Sequence, residues 1–258
     1  MRQTLTEETQ FINKTFEEDF HMTKNPSHPS ISSDEIAAIV LSKLHADFDT
    51  HCVLETINDA TLGEFYVMGG TIRNSIFLDK IGQDLDLMIP NEDFRSYSKF
   101  GELGLALTTN SQKHRRYRWN RLSIDIFSPN TFYQGFETVL SALEFFDLKI
   151  NSVAIHYKTK TIICANDFNE NFAKSEVGIN TLRWNLSNDI DLLVLVIRLI
   201  RILYDFPILD ISSKDKEYLL SYAWERVKSI NWRYVSDRYP LGSLKFQEAM
   251  RSVLENRQ

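Results

Sequence analysis

Apolar residues spaced one helical turn apart mark out the first elements. Ile12, Phe16 and Phe20, with Phe11 beside them, predict a short amphipathic helix in an otherwise polar stretch, residues 1–23. Lys24 to Ser33 carries two prolines among small polar residues and predicts a loop. Ser33 is placed to cap a helix running to about His45, with Asp34 and Glu35 in its favourable first turn. Ile36, Ile39, Val40 and Leu44 form its apolar face. A second helix is predicted over His51 to Thr61. Phe65 to Met68 is a short apolar run that stops at Gly69-Gly70, as a buried strand would. Thr71 to Asp79 reads as a short helix, with Ile72 and Ile76 one turn apart and Arg73 to one side. Asp84-Leu85-Asp86-Leu87-Met88-Ile89 then alternates. On a strand, residues two apart share a face, so Leu85 and Leu87 point into a core while Asp84 and Asp86 point the other way together.

After Pro90 the pattern predicts a short helix near Glu92 to Lys99 and a strand over Leu103 to Thr108. A hairpin follows, Arg115 to Trp119 and Leu122 to Phe127, turning at Asn120-Arg121. In its second arm Leu122, Ile124 and Ile126 face one side; Ser123 and Asp125 face the other. Phe136 to Phe146 predicts an apolar helix. Leu148 to Tyr157 and Thr161 to Cys164 predict paired strands around Lys158-Thr159-Lys160. From Asn188 onward the periodicity is helical, over Asn188 to Tyr204, Lys214 to Ser229 and Ser243 to Asn256. The expected class is therefore α+β: an N-terminal extension, 1–33, a mixed-sheet domain flanked by helices, 34–180, and a smaller all-helical region, 181–258.

Composition adds limits rather than a function. With 43% hydrophobic and 25% charged residues, the 258-residue chain has the balance of an ordinary globular protein. A net charge of −6 excludes a global positive field, so any nucleic-acid contact must use a local patch. The densest basic stretch is Lys113-His114-Arg115-Arg116-Tyr117-Arg118-Trp119-Asn120-Arg121. Its interleaved aromatics suit an acceptor's phosphates and bases, and it equally suits a solvated hairpin. Cys52 and Cys164 are far apart and fit a reducing compartment. The start of the chain lacks an apolar leader, and the apolar run Ile190 to Leu203 is interrupted by Asp191, Arg198 and Arg201. The expectation is a cytoplasmic protein without a membrane span. The six histidines are dispersed and show no metal-ligand spacing.

Two carboxylates side by side on a strand repel each other and call for a cation. Hard oxygen donors beside a phosphate suit magnesium. Gly69 and Gly70 let backbone N–H groups approach a phosphate at a helix start, where negative charge is favoured. Either piece alone also reads as a tight turn or a solvated strand end. In this order, together, they favour phosphate chemistry.

Gly69-Gly70, thirteen residues, Asp84-x-Asp86 and then Asp125 between isoleucines resembles the signature of the polymerase β-type nucleotidyltransferase superfamily. More closely, Gly-Gly-Thr-Ile-Arg73-Asn with Asp84-Leu-Asp86-Leu resembles the head of class II tRNA CCA-adding enzymes and bacterial poly(A) polymerases. Asp147-Leu-Lys-Ile-Asn151-Ser-Val-Ala-Ile is similar to that family's Asp-Phe-Thr-Ile-Asn-Ala-Leu-Ala-Tyr, and Arg198-Leu-Ile-Arg201 with Phe206 to the end of its neck helix. The resemblance implies a polymerase β-like head and a neck-like helical region. It implies magnesium-dependent transfer of a nucleotide from an NTP to a hydroxyl, with RNA such as a tRNA 3′ end as the expected acceptor. Asp84, Asp86 and Asp125 would be catalytic, holding two Mg2+ ions. Gly69, Gly70, Arg73, Asn151, Arg198 and Arg201 would hold the NTP. Apart from the resemblance, the basic hairpin offers Arg115, Arg116 and Arg118 to an RNA acceptor, with a merely solvated hairpin as the alternative.

The chain also departs from that family. Phe145-Phe146 stand where it has Arg-Arg, Asn74 replaces an aspartate, and the Glu-Asp-x-x-Arg base reader is missing. Little chain follows the neck to grip a tRNA. The expectation is addition of one kind of nucleotide, or of several with weak preference, instead of an ordered C-C-A. Alternative acceptors are a protein, a small molecule or a second nucleotide; a further alternative is a non-catalytic module that binds nucleotide or a partner.

Overall fold

A seven-stranded sheet carries the chemistry-bearing residues, and its strand order explains how distant segments meet. A computed structural model describes residues 33–78, 81–90, 99–109, 115–130, 135–165, 167–180, 189–206 and 208–219, all within one unit, Ser32–Gln258. In chain order the elements are α1 (Ser33–Ala46), α2 (Phe48–Thr61), β1 (Tyr66–Met68), α3 (Gly70–Phe77), β2 (Asp84–Met88), β3 (Ala106–Thr109), β4 (Arg115–Trp119) and β5 (Leu122–Phe127). Then come α4 (Val139–Glu144), a 3-10 turn (Lys149–Asn151), β6 (Val153–His156), β7 (Ile162–Cys164), α5 (Phe168–Lys174), α6 (Asp189–Asp205) and α7 (Ser213–Tyr218). The helices expected near Glu92, except for Lys99 itself, over 1–23 and over Ser243 to Asn256 lie outside the described residues; residues 99–102 form a helical turn.

The sheet order is β3-β4-β5-β2-β1-β6-β7. Only β2 and β5 run parallel; every other neighbouring pair is antiparallel. β2 and β5 sit side by side at the centre although β3 and β4 separate them in sequence. The alternation of β2 holds: Leu85 and Leu87 are buried, Asp84 is exposed and Asp86 half-buried. Met88, on the same face as Asp86, packs with Met68 and Ala154 under Val139, Ala142 and Leu143 of α4. One sheet face is thus covered by α4 at one end and left polar at the other.

Three elements differ from the sequence pattern. β3 starts at Ala106 rather than Leu103, because Gly104 (φ +92°) closes the preceding helical turn by donating to the Gly101 carbonyl. The helix expected over Phe136 to Phe146 is confined to Val139–Glu144: Thr138 caps it in a reciprocal capping box with Ser141. The strand expected from Leu148 is broken by the 3-10 turn. Asp147 Oδ1 accepts from the Leu148 amide, and the amides of Lys149 and Ile150 bond to the carbonyls of Gly178 and Val177 instead of a strand.

α6 buries most of its circumference, with Leu192, Leu195, Leu199 and Leu203 among its fully enclosed residues. Each such side chain contributes about 1.5–3 kcal/mol of hydrophobic stabilisation. Its polar stripe carries Asp191, Arg198, Arg201 and Asp205. Among the described residues, no helix is long and apolar enough to cross a membrane.

Candidate active site

The parallel pairing puts Asp86 opposite Asp125 and Asp84 opposite Ser123. Adjacent strands lie about 5 Å apart and paired residues project to the same side. Three carboxylates therefore share one polar patch, although Asp125 follows Asp86 by 39 residues in sequence. Burial, then the charges of Asp125 and Asp84, push the Asp86 carboxyl up to about 7; Arg73 and Arg198 pull weakly the other way.

The glycine turn lies directly against this patch. Gly69 has φ +57° and ψ −124°, a conformation L side chains avoid, and a Cβ there would sit 2.9 Å from Phe146 Cε1. A Cβ on Gly70 would meet Asp86 Oδ2 at 3.3 Å and Arg73 Nη2 at 3.5 Å. Gly69 thus needs to be glycine for its backbone conformation, and Gly70 brings the turn into close contact with the Asp86 carboxylate. Thr71, the next residue, accepts a 2.8 Å hydrogen bond from the Asp86 amide through its Oγ1, locking the start of α3 to β2. Sequence reasoning missed Thr71, although its place directly after the glycines was a usable signal.

Arg73 is aimed by a second layer. It donates to Asn151 Oδ1 at 2.6 Å and, through two nitrogens, to Asn74 Oδ1 at 3.2 and 2.9 Å. Its guanidinium lies 4.9 Å from the centre of the Phe206 ring. Burial lowers its pKa to about 10, against the raising effect of Asp147 and Asp86, so it remains a cation at neutral pH. Asn151 also donates to Asp147 Oδ1 at 3.4 Å. The buried Asp147 carboxylate takes Arg198 Nε at 2.6 Å from α6. Arg201 is exposed and pairs with Asp205 at 3.6 Å. The network Arg73–Asn151–Asp147–Arg198 thus ties α3, the 3-10 turn and α6 into one frame; Asp147 was in the sequence pattern without a role.

The basic hairpin divides between two faces. Arg116 and Arg118 pair in register with Asp125 and Ser123, so they share the carboxylate face. Arg115 alternates to the other face, with Tyr117. Arg116 grips Asp125 with both arms of its guanidinium: Nε donates to Oδ1 and Nη2 to Oδ2, each at 2.6 Å. That contact was not expected from the sequence, which placed Arg116 against RNA. Lys113 and His114 lie outside the described residues.

Three hard-oxygen side chains on one face, with the ionisation of one opposed by burial and by the other two, form a patch in want of positive charge. Its donor set fits magnesium-type cations.

No family model matches this chain, and no curated protein matches it by sequence. Solved structures do match it in fold. A "tRNA-processing enzyme (apo form I)" is 15% identical with TM-score 0.56, over 78% of this chain and 57% of that one. A CCA-adding enzyme in complex with ATP is 15% identical with TM-score 0.54, over 82% and 54%. The Thermotoga maritima CCA-adding enzyme complexed with tRNA-CCA is 14% identical with TM-score 0.55, over 85% and 50%. The fold is therefore a polymerase β-like nucleotidyltransferase fold, an α+β mixed sheet like the head of CCA-adding enzymes. The chain spans little more than half the length of these structures.

Proposed function

We propose that this protein is a magnesium-dependent nucleotidyltransferase that moves a nucleotide from an NTP to a hydroxyl on RNA. The observation that carries this reading is the in-register pairing of Asp86 with Asp125, beside Asp84, against the Gly69-Gly70 turn. The fold likeness to proteins described as tRNA-processing, or as CCA-adding enzymes with ATP, CTP or tRNA, supports it.

Asp84, Asp86 and Asp125 hold two Mg2+ ions, which when bound supply the charge that stabilises the attacking and leaving oxygens. The backbone amides at the start of α3 receive the triphosphate, because the glycines admit it closely and the helix start favours anions. Arg73, fixed by Asn151, Asn74 and Phe206, faces the phosphates. The acceptor hydroxyl attacks the α-phosphorus in line. The bond to the bridging oxygen breaks, pyrophosphate leaves, and the hydroxyl proton passes to water. No side chain acts as a covalent nucleophile. Arg198 positions Asp147, and through it Asn151 and Arg73; Arg201 adds a cation on the same helix stripe. Arg116 must release Asp125 before that carboxylate serves a metal. A backbone phosphate of the acceptor is the natural anion to receive Arg116, with Arg118 beside it, which makes RNA the acceptor favoured by the geometry. The head is assigned to 34–180 and the neck-like helical region to 181–258, and the class of reaction with two free cysteines fits the cytoplasm.

The base reader absent from the sequence implies addition of one kind of nucleotide, or of several with weak preference. The test is incubation with each labelled NTP, Mg2+ and total RNA or cell extract, followed by identification of the labelled molecule and sequencing of RNA ends. Labelled RNA without ordered C-C-A is the expected result. Label on protein or a small molecule would move the acceptor to that class. NTP binding without any transfer would reduce the protein to a binding module.

A further inference from the structure

Two of the six histidines come together: the turn between α1 and α2 brings His45 beside His51, correcting the sequence expectation. Their Nδ1 atoms are 3.0 Å apart. Glu55 follows His51 by four residues on α2, the spacing that places two side chains on one helix face. One donor atom from each of His45, His51 and Glu55 lies within 4.8 Å of the others. The cluster shares no residue with the carboxylate patch.

The hydrogen bonds around the cluster fix its protons. The Tyr157 hydroxyl donates to Glu55 Oε1 at 2.6 Å, and burial and Glu55 together hold that proton firmly on the tyrosine. Its only proton is thus committed. The 3.2 Å contact between Tyr157 Oη and His45 Nε2 therefore requires the imidazole to donate. A neutral imidazole with its proton on Nε2 presents a bare lone pair at Nδ1, and that atom faces His51 Nδ1. Stacking of Tyr157 on Phe65, with ring centres 4.6 Å apart, and on His45 at 5.7 Å, holds the arrangement.

We propose that His45 Nδ1, His51 Nδ1 and a Glu55 oxygen form a binding site for a zinc-type divalent transition metal. Two imidazoles and one carboxylate are a donor set zinc takes, with a fourth position left for water. Tetrahedral bonds of 2.0–2.1 Å place two nitrogens about 3.3 Å apart, so the imidazoles need to open by only a few tenths of an ångström. On binding, His51 changes tautomer: the proton its Nδ1 donates to His45 Nδ1 leaves to solvent, its Nε2 takes one up, and Nδ1 is free for the metal as a neutral imidazole. Tyr157 becomes the outer partner of two ligands at once, accepting from His45 Nε2 and donating to Glu55 Oε1, the role such groups play in orienting metal ligands. Because Oε1 serves Tyr157, Oε2 serves the metal. Lys160, whose ammonium lies 4.7 Å from the Tyr157 ring centre, opposes the added charge, but it is exposed and free to turn to solvent. The bound metal would pin the α1–α2 turn to the β6–β7 hairpin. That turn also holds β4–β5 through Asp47 with Arg121 and Asp49 with Asn120.

The test is zinc titration of the full chain, by competition with a chromophoric chelator, in millimolar Mg2+ to occupy the hard carboxylates. One equivalent bound at micromolar or tighter affinity is expected. X-ray absorption of the zinc-loaded wild-type chain should show two imidazole ligands and oxygen, a readout that needs no variant to fold. His45→Gln with His51→Gln should abolish this binding, and Tyr157→Phe, which keeps the ring packing, should weaken it about 10–100-fold. Failure to bind at micromolar zinc, absorption without imidazole scattering, or retention of full affinity in the doubly substituted chain would each overturn the proposal.

Discussion

Replacing Asp86 by asparagine should make the metal-free protein more stable while removing its catalysis. Asn keeps the shape of the side chain and deletes the charge that Asp125, Asp84 and burial oppose. The carboxyl is raised from 3.8 to about 7 in the folded chain. Three units at about 1.4 kcal/mol each give an upper bound of about 4 kcal/mol for the cost of ionising it at pH 8. Screening by water around a half-buried group brings the expected gain to roughly 2 kcal/mol. The pH window follows from the direction of the shift. Between 3.8 and 7 the folded chain binds more protons at this site than the unfolded one, so wild-type stability falls as pH rises through that range and levels off above it. The advantage of Asp86→Asn should therefore be full at pH 8 and smaller at pH 5. Thermal unfolding in EDTA reads this directly: at about 2–4 °C per kcal/mol for a chain of this size, the variant should melt roughly 4–8 °C higher at pH 8. Mg2+ should stabilise the wild type and do less for the variant. A variant that melts lower than wild type in EDTA at pH 8, or with the same advantage at both pH values, would refute the placement of Asp86 in a repulsive carboxylate cluster.

Arg116→Gln frees both oxygens of Asp125, and since an exposed ion pair is worth at most about 1 kcal/mol, Mg2+ or Mn2+ should bind up to about fivefold more tightly, as titration would show; weaker metal binding would mean that Arg116 does not compete. Gly69→Ala places a Cβ against Phe146 at φ +57° and should cost about 1–3 kcal/mol in urea unfolding; unchanged stability would show a turn less constrained than described. Asn151→Ala removes the acceptor that aims Arg73, so KM for NTP should rise about tenfold with a smaller loss in kcat, and steady-state kinetics giving the reverse split would place Asn151 nearer the reacting atoms. Asp125→Asn should abolish transfer yet retain NTP binding, and loss of binding with catalysis intact at saturation would contradict its role toward the acceptor.

The strand alternation of Asp84 to Met88 and the glycine turn were legible because each is a local pattern: period two for one, a backbone that needs no Cβ for the other. The pairing of Asp86 with Asp125 was not readable as a distance. It depends on β5 sliding in parallel beside β2, a long-range choice that the sequence of neither strand states. The pairing of Arg116 with Asp125 was unreadable for the same reason, because it is set by hairpin register and not by the charge of its sequence neighbours. The strand expected from Leu148 failed because an apolar run does not reveal that its backbone bonds go to Gly178 and Val177. His45 and His51 escaped notice because a sharp turn, not a fixed motif, closes the gap between them.

The central claim is transfer of the α-phosphate with its nucleoside, and parallel reactions with α-labelled and γ-labelled NTP test it most directly. Wild-type protein with Mg2+ and RNA should move the α label onto RNA and release the γ label as pyrophosphate in equal amount, with both lost in Asp84→Asn and Asp86→Asn. Appearance of the γ label on an acceptor, or undiminished α transfer in either aspartate variant, would contradict it.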